Sequence, residues 1–208
     1  MRISTKKVSR RVGRPRAYDP DAAVGRITEV FREVGFARAS LDEIAQATGM
    51  NRPSLYAAFG DKKAMYFRAI DHFSAEMRAR VERALADDDL GRSLAGIFAA
   101  ALELYRAGGD VPPSCLVLCT APAEAGHDAD IRARLGQTLA EIDRVFVGRL
   151  QRARAAGTLR RDADPEQLGL LLAATLHSVA LRARAGQPQA QLDALVAGAV
   201  ALVLGPRA

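Results

Sequence analysis

Residues 40–59, SLDEIAQATGMNRPSLYAAF, decide the fold. They read as two short helices joined by a tight turn. Ser40 and Glu43 make the S-x-x-E capping box, which satisfies free N–H groups at a helix start. Leu41, Ile44, Ala45 and Thr48 then recur at helical spacing. Gly49 can take the left-handed conformation that ends such a helix. Asn51 is a good N-cap for a second helix. Met50 and Leu55 are spaced for a hydrophobic staple across that cap. Pro53 falls in the first turn, where no intrahelical N–H is needed.

On the second helix Leu55, Ala58 and Phe59 share one face, which points to a core. The other face and the first turn carry Arg52, Pro53, Ser54, Tyr56 and Ala57. A cation, hydroxyls and small groups in that arrangement suit phosphates and base edges. A plain helical hairpin with a solvated outer face would show the same spacing. The charge around it favours DNA. Of the net charge of +6, residues 1–68 hold 14 Lys/Arg against 7 Asp/Glu, and residues 69–208 hold 16 against 17. The whole positive excess therefore lies in the part that would meet nucleic acid.

Residues 27–67 resemble the DNA-binding domain of TetR-family transcription regulators. The resemblance rests on Phe31-x3-Gly35-Phe36, Ser40-Leu41-x2-Ile44-Ala45, Gly49-x5-Leu55-Tyr56-x2-Phe59, and Lys62 at the next helix. Where the family often has an aromatic pair after the Tyr, Ala57 and Ala58 stand. The resemblance implies an all-α homodimer, a helix-turn-helix reader of double-stranded DNA, and a larger helical domain for effector binding and dimerisation. It also implies that Lys62 contacts a phosphate, to which the free N–H groups of that helix start would add. The candidate DNA-binding residues are Ser40, Asn51, Arg52, Pro53, Ser54, Tyr56 and Lys62, together with Arg14 and Arg16.

Arg14 and Arg16 belong to a basic arm, MRISTKKVSRRVGRPR, with seven cations and no acid over residues 1–16. Gly13-Arg14-Pro15-Arg16 is similar to arms that enter A·T-rich minor grooves, whose negative potential attracts Arg. A merely electrostatic tail is the alternative. The expected division is a basic arm over 1–17, a helix-turn-helix domain over 18–65, and an effector-binding and dimerisation domain over 66–208.

Asp19-Pro20 is a strong helix start. The helix it opens carries Ala23, Ile27, Val30, Phe31 and Val34 inward and ends at Gly35. A long helix follows over about 62–85, with Tyr66, Ile70, Phe73, Met77, Val81 and Leu85 three or four apart. A fifth helix carries Leu94, Ile97, Phe98, Ala101, Leu102 and Tyr105. Ser114 is placed to cap a short apolar run ended by Pro122. Asp128 opens a seventh helix to about Ala156, with Phe146 inward. Asp164-Pro165 opens an eighth, and a ninth follows Pro188. These last two are apolar on more than one face and so need more than one packing partner. A four-helix bundle shared between two chains would supply it. The candidate interface residues are Leu168, Leu171, Leu176, Val179, Leu192, Leu195, Val196 and Ala199.

Helices five to eight direct Phe98, Leu102, Tyr105, Cys115, Cys119, Phe146 and Leu172 toward a common interior. A mainly apolar pocket for a small apolar or aromatic effector is the expectation. Cys115 and Cys119 lie four apart on one helical face. They could hold a soft metal, with His127, or form a redox pair. As small hydrophobes they would simply line the pocket. A ligand-independent architectural DNA binder is the third alternative.

No cofactor is implied, and nothing resembles an enzyme: H-E-x-x-H, G-x-S-x-G and phosphate-cradling glycine loops are missing. Two cysteines make no disulfide framework. The basic N-terminus has no apolar core of a signal peptide, and no apolar run spans a membrane. A cytoplasmic location is the expectation.

Overall fold

The computed structural model describes residues 19–107 and 114–205. Among these residues the chain forms nine helices: α1 (Pro20–Arg38), α2 (Leu41–Thr48), α3 (Arg52–Phe59), α4 (Lys62–Leu85), α5 (Leu90–Arg106), α6 (Leu116–Ala125), α7 (Ala129–Ala155), α8 (Pro165–Arg184) and α9 (Gln189–Leu204). The all-α expectation holds.

Local chemistry explains most of the boundaries. Asp19, Ser40, Asn51, Asp61, Asp89, Asp128 and Asp164 each accept a backbone N–H at the start of the helix they precede. Such caps satisfy donors that the helix itself leaves unpaired. The box at Ser40 is complete: Ser40 Oγ accepts from Glu43 N at 3.1 Å, and Glu43 Oε2 accepts from Ser40 N at 2.7 Å. Gly49 closes α2 with φ 68° and ψ 18°, a conformation that costs an L side chain energy and glycine little. The regular part of α1 stops at Gly35, as expected. That residue is non-helical, and the segment to Arg38 is a further turn beyond a kink.

α6 departs from the sequence reading in two ways. Its N-cap is Cys115, without a side-chain hydrogen bond, and it runs through Pro122 to Ala125. Ser114 is buried and turned inward, and its backbone N donates to Tyr105 O at 3.2 Å. Tertiary burial here overrides the capping preference. Pro122 lacks an N–H, so the α6 ladder loses one bond there without stopping.

α1, α2 and α3 pack around Ile27, Phe31, Ile44, Leu55 and Phe59, all buried. α4 leaves this group, and the expected division between residues 65 and 66 falls inside it. Its apolar stripe continues from Met65 and Tyr66, beside Phe31 and Phe36, down to Phe73 and Val81 against α5. α7 and α8 pack tightly: a Cβ built on Gly169 would lie 2.5 Å from Val147 Cγ2 and 2.8 Å from Val147 Cα. Only glycine allows that approach. One continuous apolar core therefore runs from the helix-turn-helix into the larger helical region.

Candidate DNA-reading face and effector cavity

The reading face is built from caps outward. Asn51 Oδ1 accepts from Ser54 N at 2.9 Å and sets the first turn of α3. Leu55 and Phe59 anchor its inner side. Arg52, Pro53, Tyr56 and Ala57 are then exposed, with Ser54 half-buried. Tyr56 stands 49% exposed with a phenol ring that no core contact requires. Ser40 and Asn51 use their side chains as caps, so in this state their role is to place the helix starts.

Two cations on this face have partners that the sequence did not announce. Arg52 Nε donates to Asp42 Oδ1 at 2.7 Å, and Arg52 Nη2 to Asp42 Oδ2 at 2.5 Å. The hydrogen-bonded guanidinium holds the Asp42 carboxyl below its usual range. Lys62 Nζ donates to Ala39 O at 2.8 Å and to Ala37 O at 3.2 Å, and lies 4.8 Å from the Phe36 ring centroid. It ties the end of α1 to the start of α4. An ammonium has three donors, so one is left for a phosphate. Arg14 and Arg16 lie outside the described residues.

A cavity of about 280 Å³ opens between α4, α5, α6 and α7. Phe73, Met77, Val81 and Leu85 of α4 form one wall; Ile97, Ala101 and Tyr105 of α5 form the next. Cys115, Val117, Ile142, Val145, Phe146 and Leu176 close it, and Ser74, Thr138, Arg78, Glu82 and Glu141 supply its polar groups. Ion pairs join α4 to α7 along the seam above it. Lys63 meets Asp128 at 3.2 Å and Asp130 at 2.6 Å, Asp71 pairs with Arg134, and Arg78 meets Glu141 at 3.9 Å. The signs alternate along both helices.

The buried end of the cavity is uncharged at neutral pH. Burial pushes the Cys115 thiol up to about 11, and holds the Tyr105 phenol well above its ordinary range. The Cys119 thiol is also raised by burial. Neither cysteine is therefore a thiolate near pH 7, the form that binds metals and attacks disulfides. His127 is exposed beyond the end of α6, and among the described residues no three His, Cys, Asp or Glu side chains converge.

Of the seven expected pocket residues, Tyr105, Cys115 and Phe146 line this cavity. Phe98 and Leu102 instead form part of a separate open groove between α5 and α9, with Val196, Val200 and Leu204. Phe98 stands behind the cavity wall, its ring 5.3 Å from that of Phe146. Cys119 points to Ala180 O at 3.9 Å, and Leu172 is buried in the core; neither lines the cavity. The α4 wall was missed. Its stripe was visible, but a stripe does not say whether its partner touches it or leaves a gap.

The candidate interface residues divide by burial within the single chain. Leu176, Val179, Leu192 and Val196 are buried within the chain itself, and Leu176 lines the cavity. Leu168, Leu195 and Ala199 are half-buried against the core. Leu171 alone of the eight is exposed. The exposed large apolar residues of these helices are Leu170, Leu171 and Leu181 on α8 and Leu202 and Leu204 on α9.

Arg32 was also unforeseen. It is 1% exposed, and its Nη2 donates to Tyr105 O at 2.6 Å, Leu104 O at 3.3 Å and Ser114 O at 3.4 Å. Its Nη1 pairs with Glu29 at 2.9 Å. From the other side Arg184 of α8 donates to Arg32 O and Glu33 O. A charged residue on the α1 stripe gives no sequence signal that separates it from a solvated one.

A capped helix-turn-helix and a long helix leading from it into a larger helical region define a helix-turn-helix type of DNA reader. The family model described as "Bacterial regulatory proteins, tetR family" matches residues 26–69, and "Tetracyclin repressor-like, C-terminal domain" matches residues 90–199. The chain is 34% identical over 131 residues to the transcriptional repressor BdcR of Escherichia coli, covering 62% of this chain and 64% of that one. It is 26% identical over 185 residues to the repressor ComR of the same organism, covering 88% of each. A cysteine-substituted form of the TetR-family regulator CifR, solved with 26-bp double-strand operator DNA, superposes with a TM-score of 0.79 at 30% identity. The match covers 90% of this chain and 98% of that one. The chain belongs to the TetR family of DNA-binding transcriptional regulators. Among the described residues no helix is long and apolar enough to cross a membrane.

Proposed function

We propose that the protein is a homodimeric, sequence-specific repressor that leaves its operator when a small apolar or aromatic effector enters the α4–α7 cavity. The observation that carries this is the cavity's position. Its α4 wall belongs to the same rigid helix that starts against the reader at Lys62. A side chain displaced at Met77 or Val81 therefore loads a rod that ends at the DNA face. About 280 Å³ of largely apolar space suits a ligand of modest size,.

The relatives BdcR and ComR are named as repressors, which supports that direction of control. The exposed leucines of α8 and α9 support a two-chain bundle. A two-fold dimer requires a near-palindromic operator, with reading helices about 34–36 Å apart. Lys62 and the face of Arg52, Ser54 and Tyr56 would meet DNA, and Arg14 and Arg16 the adjacent minor groove. Acting on operator DNA places the protein in the cytoplasm.

The test is fluorescence anisotropy on the DNA upstream of the chain's own gene, with unlabelled competitor, followed by a screen of small aromatic and aliphatic compounds. Specific binding relieved by at least one compound is expected. By linkage that compound must bind less tightly when DNA is present. The substitution Val145→Trp, which fills the cavity, should keep DNA binding and lose the response. DNA binding that no compound relieves, and that unlabelled unrelated DNA competes away as well as the upstream sequence does, would favour an architectural binder.

A further inference from the structure

We propose that Arg52 reads a guanine in each half-site and that Asp42 is the positioning residue that gives it this specificity. The inference rests on the reading of the protein as a sequence-specific regulator. It goes further by assigning one base type to one side chain and a role in recognition to an acid.

The geometry is that of a fork with one edge taken. The Nε and Nη2 donors of Arg52 both end on the Asp42 carboxylate, at 2.7 and 2.5 Å. A guanidinium has five N–H donors in a fixed plane. With the Nε–Nη2 edge occupied, the Nη1–Nη2 edge remains. It makes no other hydrogen bond among the described residues. That edge carries two parallel N–H groups, the donor pair that matches O6 and N7 of guanine in the major groove. Adenine presents an amino donor at the first of these positions, so the same edge rejects it.

Charge points the same way. Asp42 and Arg52 are exposed, with 73% and 55% of their side chains open to solvent. Both stand on the first turns of the two reading helices, α2 and α3. An exposed carboxylate there is repelled by the DNA backbone. A phosphate-binding Arg would be better without it. Paired, the two residues are neutral together and contribute little counterion release. What the pair retains is direction: the carboxylate draws the Arg away from the phosphates and aligns its free edge relative to α3. The Tyr56 side chain, four residues on and exposed, stands on the same face of that short helix,.

An isolated surface ion pair of this kind does little for stability, so a structural role predicts almost no effect of removing Asp42. The positioning role predicts two effects of opposite sign. In Asp42→Asn, non-specific affinity for DNA rises, because a negative charge is gone. Preference for the guanine falls, because the fork is free to turn.

The experiment is selection of bound sequences from a pool of randomised double-stranded DNA, using the full chain and the variants Asp42→Asn, Arg52→Ala and Arg52→Lys. Non-specific affinity is measured in parallel on a fixed unrelated duplex. The wild type is expected to enrich one guanine per half-site that Arg52→Ala and Arg52→Lys both lose, at roughly ten-fold discrimination or more. Arg52→Lys keeps the charge and loses the fork. Asp42→Asn should weaken that preference several-fold while binding the unrelated duplex more tightly. A motif unchanged in Arg52→Ala overturns the proposal, and so does full guanine preference in Asp42→Asn. If the wild type enriches no motif, the reading as a sequence-specific regulator fails with it.

Discussion

The two ends of this molecule are specified by different physics. In α1–α3 every helix start is set by a side-chain cap, and the reading face follows from those caps and two anchoring residues, Leu55 and Phe59. In the larger region two helices, α6 and α9, start without any side-chain cap. There the arrangement comes from apolar packing. α8 lies against α7 through Gly169, and the cavity survives where α4 and α7 do not meet. A capped region has one register for its functional side chains. A packed region can close, open or shift where a ligand enters, because its contacts are non-directional. On the proposed function, the difference separates a part that presents atoms to DNA from a part that responds to a ligand.

Arg32 tests that division most severely, because α1 sends its guanidinium into the packed region. It joins α1 to the end of α5 and to the approach to α6, and Tyr105, whose carbonyl it holds, lines the cavity. Removing it takes one donor from each of the Leu104, Tyr105 and Ser114 carbonyls and empties the buried space that its side chain fills. Arg32→Ala should destabilise the protein by about 3 kcal/mol or more, read as a lower midpoint in urea unfolding. Arg92, exposed and paired with Asp87 at 2.9 Å, is the comparison. Arg92→Ala should be nearly indistinguishable from wild type, as exposed pairs are. Equal effects would remove Arg32 as a link between the two regions.

The uncharged end of the cavity gives a pH test. Cys115 is raised from an ordinary 9.0 to about 11, and Tyr66, buried beside Thr120, from 10.0 to about 12. Both groups are protonated in the folded protein at pH values where the unfolded chain has lost the proton. The unfolded state then binds fewer protons, so stability falls as pH rises. The loss should begin near pH 9 and continue to about 11 for Cys115. A two-unit shift corresponds to at most about 3 kcal/mol. Cys115→Ala should flatten that part of the stability curve and leave the part due to Tyr66. A slope that does not change would place Cys115 in contact with solvent.

Packing at α7 and α8 offers the next comparison. Glycine to alanine inside a helix ordinarily stabilises by about 0.5–1 kcal/mol. At Gly136 of α7 nothing lies within 4 Å of the added carbon, so Gly136→Ala should show that gain. At Gly169 the carbon would sit 2.8 Å from backbone atoms of Val147, which cannot rotate away. Gly169→Ala should therefore destabilise by about 1–3 kcal/mol. Thermal unfolding of the two variants should move in opposite directions. Two shifts of the same sign would mean that α8 can slide on α7.

The same contrast explains what could be read before the structure. All nine helices were legible, because caps, glycine stops and apolar periods are local signals. The helix-turn-helix and its exposed face were legible for the same reason. The cavity was legible only as a class. Tyr105, Cys115 and Phe146 were found, whereas Phe98, Leu102, Cys119 and Leu172 were assigned to it and lie elsewhere. Buried apolar residues on one helix are alike in sequence, and their separation depends on how the helices rotate against each other. The interface residues show the same ambiguity: Val179 and Leu192 are apolar for the chain's own core. Arg32, Asp42 and Glu141 gave no signal at all, since a charge on a helix is most simply read as solvated.

Lys62 gives the smallest expected effect, and it lies where the two regions join. From its place at the start of α4 it is expected to meet a phosphate. The structure gives it a second task, capping the end of α1 through Ala37 and Ala39 with its stem over Phe36. Two N–H groups serve that cap, and the third can serve DNA. Each role has its own observable. A phosphate contact appears in the salt dependence of DNA affinity, which Lys62→Ala should reduce by roughly one unit of slope. The α1 cap appears in stability without DNA, which should fall modestly, by about 0.5–1.5 kcal/mol. Lys62→Met keeps the stem on Phe36 and loses all three donors, so it should match Lys62→Ala in slope and exceed it in stability. A lower melting temperature with an unchanged slope would assign Lys62 wholly to the fold. A lower slope with an unchanged melting temperature would mean that the ammonium prefers the phosphate and that the α1 cap is dispensable. Both changes together are the expected result, because the lysine then holds the reader to α4 while it holds DNA.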